Sequence, residues 1–219
     1  MLATDSELRK TLARAYQQAN LLPQAEPLLN QLLTEDLNDG ECWRLFGLLL
    51  YQNGYYSTAL RAFERSLAIG ASAEAAAHRA VCLVQLGRFT EAEIAIREIE
   101  GRADAGNVDL LIARVQLLYE TGRLEVALNA AESAVASRPG HPMTLYWRGT
   151  IRFRLGRLDQ ALRDAHASIA ASPGLPFGRN LVVRIRRAQG RLADAAAEVE
   201  WLRQYEEAKT RRSGPELPQ

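Results

Sequence analysis

The sequence predicts an all-α fold, a solenoid of about six helical hairpins, from three observations. A turn residue recurs every 33 to 35 positions along the 219-residue chain, and a constant period in this range is typical of repeat architectures. Apolar residues on both sides of each turn have the spacing of amphipathic helices. Composition agrees, because 47% of the residues are hydrophobic but only 7% are aromatic, which favours packed helices over a β-rich fold.

The recurring turn residue sets the boundaries of the repeats. It is Asn in the first unit and Gly in the others, at Asn20, Gly54, Gly87, Gly122, Gly156 and Gly190. Both residue types enter the left-handed backbone conformation found just past a helix end. We therefore predict one elongated domain of six units, each with a first helix, a tight turn and a second helix, followed by a disordered tail at 211–219. The units lie near residues 6–39, 40–72, 73–107, 108–141, 142–175 and 176–210.

Small residues predict where the two helices of each hairpin cross. They recur in pairs twelve positions apart, at Ala13 and Ala25, Gly47 and Ala59, Ala80 and Ala92, and Gly149 and Ala161. Helix axes separated by about 8 to 10 Å need small side chains where the backbones meet. Units four and six depart from this pattern with Val115 and Val183. Pro27 lies inside a predicted helix, where it should remove a backbone hydrogen bond or bend the helix.

This pattern resembles the tetratricopeptide repeat family. Residues 145–174 follow the family pattern from Gly149 to Pro173, and unit two follows it almost throughout at Trp43, Phe46, Gly47, Gly54, Tyr56, Ala59 and Phe63. The resemblance covers six units and nearly the entire chain. It implies a right-handed superhelix whose concave surface is lined by the first helix of every unit. It also implies that this surface binds an extended or helical segment of another protein.

The resemblance assigns the candidate partner-binding residues to that inner surface. They are Lys10, Arg14, Arg44, Tyr51, Tyr119, Tyr146, Phe153, Arg154, Phe177, Asn180, Arg184 and Arg187, with Leu48, Val81, Ile112 and Gln116 beside them. The groove should be basic at both ends and apolar or aromatic in the middle. Buried aromatic and Arg side chains dominate binding energy at protein interfaces. The alternative is that Tyr51, Tyr119 and Phe153 only pack between successive first helices.

Charge is unevenly distributed, although the formal net charge is only +1. Residues 142–219 carry fourteen basic and eight acidic side chains, whereas residues 1–107 carry ten basic and fourteen acidic ones. We expect Arg148 to pair with Asp164 on the partner helix. The other arginines of the last two first helices outnumber the local acids. The remaining positive surface has three interpretations: solubilising charge, a site for an acidic protein segment, or a site for nucleic acid.

The sequence offers no constellation for catalysis or metal binding, so we expect no enzyme, no metal and no cofactor. His78, His141 and His166 lie in different units, and Cys42 and Cys82 have no CxxC spacing, which predicts buried free thiols. The N-terminus has no basic and apolar leader, and no apolar stretch is long enough to span a membrane. We expect a cytoplasmic protein, and the high use of alanine and arginine suggests a bacterial one.

The predicted function is a protein–protein interaction module, acting as an adapter, assembly factor or chaperone. Its partner would present an extended or helical segment, which an acidic sequence would suit best. The alternative functions are a nucleic-acid-binding regulator that uses the basic C-terminal third and a scaffold subunit that self-associates through the ends of the solenoid.

Overall fold

The computed structural model describes residues 2–18, 21–70, 72–100 and 107–212. Within these ranges the chain is all-α, with twelve α-helices, one short 3-10 helix at Leu192–Ala195 and no strand. The helices are α1 (Leu2–Gln18), α2 (Leu22–Glu35), α3 (Gly40–Gln52), α4 (Tyr56–Ile69), α5 (Ala73–Gln85), α6 (Phe89–Glu100), α7 (Val108–Glu120), α8 (Leu124–Ser137), α9 (Pro142–Arg154), α10 (Leu158–Ala171), α11 (Pro176–Ala188) and α12 (Ala196–Arg212).

The predicted glycine turns are confirmed. Gly54, Gly87, Gly122, Gly156 and Gly190 all have φ between +70° and +84°, while Asn20 lies outside the described residues. At the first of these turns the N–H of Tyr55 donates to the carbonyl of Leu50 at 3.0 Å, and the N–H of Gly54 donates to that of Tyr51 at 3.0 Å. These two bonds define a Schellman motif, which satisfies the last carbonyls of the helix and reverses the chain.

Helix starts are specified by capping residues and prolines. The side chains of Asp39, Ser72 and Asn107 accept backbone N–H groups at the starts of α3, α5 and α7, which satisfies donors that lack a partner within the helix. Pro142 and Pro176 begin α9 and α11, where a missing N–H costs nothing. Pro27 lies inside α2, and the helix continues past it to Glu35.

The described residues form two compact units that meet in the sequence between residues 105 and 106. The N-terminal unit holds α1 to α6, and the C-terminal unit holds α7 to α11 with most of α12. In each unit consecutive helices pack as hairpins, and successive first helices also touch: α1 with α3 and α3 with α5, then α7 with α9 and α9 with α11. First-helix residues of neighbouring repeats therefore share one face within each unit.

The small-residue pairs are fully buried, but the two glycines are required for different reasons. A Cβ at Gly149 would lie 3.2 Å from the backbone oxygen of Ala161 and 2.9 Å from Leu181, as expected for two crossing helices. A Cβ at Gly47 would instead meet the ring of Phe63 at 2.8 Å. In the N-terminal unit glycine therefore makes room for an aromatic ring.

The C-terminal boundary differs from the predicted one. Helix α12 continues to Arg212, two residues into the predicted tail, and residues 213–219 lie outside the described part of the chain.

Candidate functional site

Three predicted binding cations lie on the first helices of the N-terminal unit, and all three are paired with carboxylates. The Lys10 Nζ lies 2.6 Å from an Asp39 oxygen, and the Arg14 Nη2 lies 2.6 Å from a Glu41 oxygen. Each of these acids stands at the start of the next first helix, α3. The same arrangement recurs one repeat later.

Arg44 on α3 continues this ladder of ion pairs. Its Nη1 lies 3.0 Å from a Glu74 oxygen at the start of α5, and its Nη2 lies 3.6 Å from Glu41. Burial opposes ionisation of Asp39, but hydrogen bonds from Lys10 and from the Cys42 N–H hold its pKa below the ordinary value. The prediction of a basic N-terminal end to the groove is therefore wrong, because carboxylates of the same chain neutralise these cations.

Tyr51 packs between successive helices. Its ring centroid lies 5.6 Å from that of Tyr56 and 6.1 Å from that of His78. His78 in turn stacks on Phe63 at 5.6 Å. These contacts agree with the alternative interpretation of Tyr51 as a packing residue between α3 and α5.

Several apolar or neutral residues assigned to the inner surface are not accessible. Val81, Ile112 and Gln116 are only 4%, 8% and 2% exposed, and Leu48 is half-buried. Their place on first helices was predicted correctly, but neighbouring helices cover them. A partner could not reach these three buried side chains without displacing the core.

In the C-terminal unit, aromatic rings from three first helices form a continuous floor. Trp147 on α9 contacts Tyr119 of α7 and its own neighbour Tyr146, with centroids 5.6 and 5.4 Å apart. Tyr146 also contacts Phe177 of α11 at 5.6 Å. Burial raises the pKa of Tyr146, so its phenol stays neutral at physiological pH. Sequence reasoning missed Trp147, which falls on the inward stripe of α9 and is 9% exposed.

Two arginines lie over aromatic rings of this unit, one over the Tyr119 ring of the floor and the other over the Phe153 ring. The Arg154 guanidinium carbon is 5.3 Å from the centroid of Tyr119, and its Nη1 donates to the Tyr119 hydroxyl at 3.2 Å. The Arg184 guanidinium carbon is 5.2 Å from the centroid of Phe153. Such cation–π contacts contribute about 0.5 to 1 kcal/mol at exposed sites. They orient the guanidinium plane without neutralising its charge.

The predicted pairing of Arg148 with Asp164 is confirmed. The Arg148 Nη2 donates to an Asp164 oxygen at 2.6 Å, and Arg152 donates to the other oxygen at 2.8 Å. Arg152 also reaches Glu132 on α8 at 3.0 Å. Asp164 is buried, so this cluster joins α8, α9 and α10 and leaves neither arginine free.

Other arginines of the last two repeats also have partners. Arg157 pairs with Glu125 at 3.0 Å, and Arg191 pairs with Asp194 at 2.6 Å. Arg179 lies over the ring of Trp201 at 4.4 Å, and Arg186 donates to Gln189 at 3.0 Å. The ion pairs of Arg157 and Arg191 make the positive surface smaller than the arginine count predicted, whereas Arg179 and Arg186 keep their charge.

Three of the arginines that were predicted to bind a partner have no carboxylate within ion-pair distance among the described residues: Arg154, Arg184 and Arg187. All three are exposed on first helices of the C-terminal unit, as is Asn180. Together with the rings beside them they define what we call the arginine–aromatic face: Tyr119, Tyr146, Phe153, Arg154, Phe177, Asn180, Arg184 and Arg187.

Chemical groups for other functions are sparse in the described part of the chain. There, no group of three or more His, Cys, Asp or Glu side chains could hold a metal ion. Cys42 and Cys82 are buried free thiols, and burial raises the pKa of each to about 12, which keeps them unreactive. No described helix combines the length and the apolar character needed to cross a membrane.

The repeated hairpins define the class of protein. The family model for tetratricopeptide repeats matches residues 10–73, 44–108 and 112–176, which together span more than half of the chain. The chain belongs to the tetratricopeptide repeat family. No curated protein matches it.

Solved structures share this fold at low sequence identity. A tetratricopeptide repeat protein of Thermus thermophilus has a TM-score of 0.70 at 21% identity and covers 80% of this chain and 97% of its own. PilW, a widely conserved type IV pilus biogenesis factor, has a TM-score of 0.67 at 19% identity, covering 90% of this chain and 91% of its own. The human IFIT1 dimer with PPP-AAAA reaches 0.77 at 12% identity, covering 90% of this chain and 49% of its own. At these identities the likeness concerns the fold alone.

Proposed function

We propose that this protein binds a segment of a partner protein on the arginine–aromatic face. One observation carries the proposal: Arg154, Arg184 and Arg187 stay exposed and without carboxylate partners among the described residues, and the first two lie over aromatic rings. Charged side chains that serve only solubility do not need such rings. Tyr and Arg are among the side chains most enriched at protein-binding hot spots.

The face offers complementary kinds of contact. Phe177 is 37% exposed at the start of α11 and contacts Tyr146, so an apolar side chain of the partner could bury area against it. The arginines nearby supply charged donors that fix the orientation of the segment and speed its association. The action as adapter, assembly factor or chaperone in the cytoplasm, predicted from the sequence, belongs to this proposal.

Nucleic acid is less well supported as the ligand. Binding to a phosphate backbone requires several cations along a continuous track. Of the nine arginines on α9, on α11 and in the turn after each, four are paired with acids: Arg148, Arg152, Arg157 and Arg191. Glu120 also lies close enough to Tyr146 to influence its pKa. A peptide with its own apolar side chains fits the mixed surface better.

Selection from a display library of random 12-residue peptides tests the proposal. The purified full-length chain would be the target, and enriched peptides would be measured against three proteins: wild type, the double variant Phe177→Ala/Arg184→Glu, and the control Arg163→Glu. Arg163 is exposed on α10, a second helix, so the control changes charge outside the face. Tyr146 is left intact because it packs in both cores of the unit.

We expect affinity for the double variant to fall at least about tenfold, since a charged hydrogen bond and a buried apolar contact are lost together. The control should bind as wild type does. Peptides that bind the double variant as tightly as wild type would place the binding site elsewhere. Failure to enrich any peptide would contradict the proposal.

A further inference from the structure

The face contains two arginine–ring pairs, one in each of two successive units, although the arginines stand 30 residues apart and so one helical turn off the repeat period. Tyr119 and Phe153 stand 34 residues apart, near the ends of α7 and α9. Each ring is covered by an arginine of the following first helix, Arg154 on α9 and Arg184 on α11. The repeat therefore presents two oriented guanidinium groups on adjacent helices.

A guanidinium that stacks on a ring still has N–H groups along its edge. That edge forms a planar fork that matches the two oxygens of a carboxylate. Arg154 gives one N–H to the Tyr119 hydroxyl and keeps others. The ring removes much of the conformational freedom that a free arginine would lose on binding.

We propose that the face selects a peptide with two carboxylates about three residues apart, one for Arg154 and one for Arg184. Adjacent packed helices lie about 8 to 10 Å apart. A polyproline II segment advances about 3.1 Å per residue with three residues per turn, so side chains at i and i+3 lie on the same side of it and about 9 Å apart. This inference rests on the proposed function and specifies the sequence of the segment.

Charge complementarity favours this occupant over a second copy of the chain. The acids on the first-helix face of the N-terminal unit, among them Asp39, Glu41 and Glu74, are already paired with its own cations. They could reach the arginine–aromatic face only by giving up those partners. An acidic peptide segment has no such cost.

A focused library tests the spacing. Twelve-residue peptides would carry two Asp or Glu residues separated by one to six positions, with random residues elsewhere, and would be selected on the full-length chain. We expect enrichment of the i, i+3 spacing over the others. The best peptide would then be synthesised with each acid replaced in turn by its amide.

A double-mutant cycle on that peptide assigns each carboxylate. Arg154→Gln and Arg184→Gln should each weaken binding about tenfold, the usual effect of losing a charged hydrogen bond. Each variant should lose no further affinity when the matching acid of the peptide is also replaced. Arg163→Gln should stay within about twofold of wild type, since exposed unrelated charges contribute little. Circular dichroism checks that every variant is folded. If only one of the two arginine variants folds, the cycle with that variant still tests the inference.

The outcomes separate this inference from the proposed function. Enriched peptides that lack the acid pair, but still lose affinity for Phe177→Ala/Arg184→Glu, would overturn the spacing and leave peptide binding intact. Tighter binding of a 12-nucleotide single-stranded DNA than of the best peptide would also overturn it. If no peptide is enriched in either library, both proposals fail.

Discussion

The two units differ in what contacts the first-helix cations that were predicted to bind a partner. In the N-terminal unit, Lys10 and Arg14 on α1 are neutralised by acids at the start of α3. In the C-terminal unit, Arg154 and Arg184 lie over rings at the end of the preceding first helix. A carboxylate neutralises the charge of the cation with which it pairs. An aromatic ring orients the guanidinium group and leaves its charge available to a ligand. The number of cations in a repeat therefore does not give the charge that a ligand meets.

The second residue of the first helix is one position at which the two units differ. It is Glu41 in α3 and Glu74 in α5, where the side chain reaches back to a cation of the preceding first helix. In α9 and α11 the same position is Met143 and Phe177. Neither side chain can supply a carboxylate to a cation of the preceding first helix.

Replacing Asp164 should have the largest effect on stability, because this buried carboxylate pairs with two arginines of the C-terminal unit. Asp164→Asn would leave Arg148 and Arg152 without their shared buried acid. We expect a loss of about 3 kcal/mol in the free energy of unfolding, typical of removing one partner from a buried pair. Urea denaturation measures it. Asp159→Asn, in the exposed first turn of the same helix, should cost about 0.5 kcal/mol, and equal losses would show that Asp164 is not a buried partner.

Glu41→Gln would give the N-terminal unit a first-helix arginine without a carboxylate partner, as the C-terminal unit has. Arg14 would lose its carboxylate, and Arg44 would keep only Glu74. The stability cost should be at most about 1 kcal/mol, because the pair is partly exposed. The more telling measurement is the salt concentration needed to elute the protein from a heparin column. It should rise more than for Glu64→Gln, a control with the same charge change on α4, and an equal rise would mean that Arg14 was already free.

The fold could be predicted almost completely from the sequence because its signals are local and repeated. A left-handed glycine past each helix end and an apolar stripe of helical period act within one hairpin. Six such hairpins reinforce each other, so an error in one unit does not change the fold. The Arg148–Asp164 pair was predictable for the same reason, since both residues belong to a single hairpin.

The candidate site was harder to predict because it depends on contacts between repeats. Whether Arg14 or Arg184 is available is decided by a residue some thirty positions away in sequence, a glutamate in one case and a ring in the other. Burial caused the remaining errors. Gln116 and Ile112 lie on the predicted helix, but the neighbouring helices cover them.

Acid should release the N-terminal cations but not the arginines held by rings. The folded-state pKa of Asp39 is lowered, so its contribution to stability is present above the unfolded pKa and is lost as the pH falls through the folded value. We expect Asp39→Asn to cost about 0.5 kcal/mol at pH 7 and nothing at about pH 2, in urea denaturation. Asn retains the N-cap of α3, so the change isolates charge. Asp36→Asn, an exposed neighbour, controls for the local turn, and a pH-independent cost at Asp39 would rule out the ion pair as its source.

A comparably small effect separates the two contacts that Tyr119 makes with Arg154. Tyr119 offers both a ring and a hydroxyl that accepts a hydrogen bond, and two double-mutant cycles with Arg154→Met separate them. In the cycle with Tyr119→Leu, the coupling free energy between residues 119 and 154, measured as stability to urea, should be about 0.5 to 1 kcal/mol if the ring dominates. Tyr119→Phe keeps the ring and should retain most of that coupling, as Phe153 does for Arg184 without a hydroxyl. If Tyr119→Phe instead abolishes the coupling, Arg154 is held by a polar partner, as the N-terminal cations are, and only Arg184 would retain the ring-held arrangement.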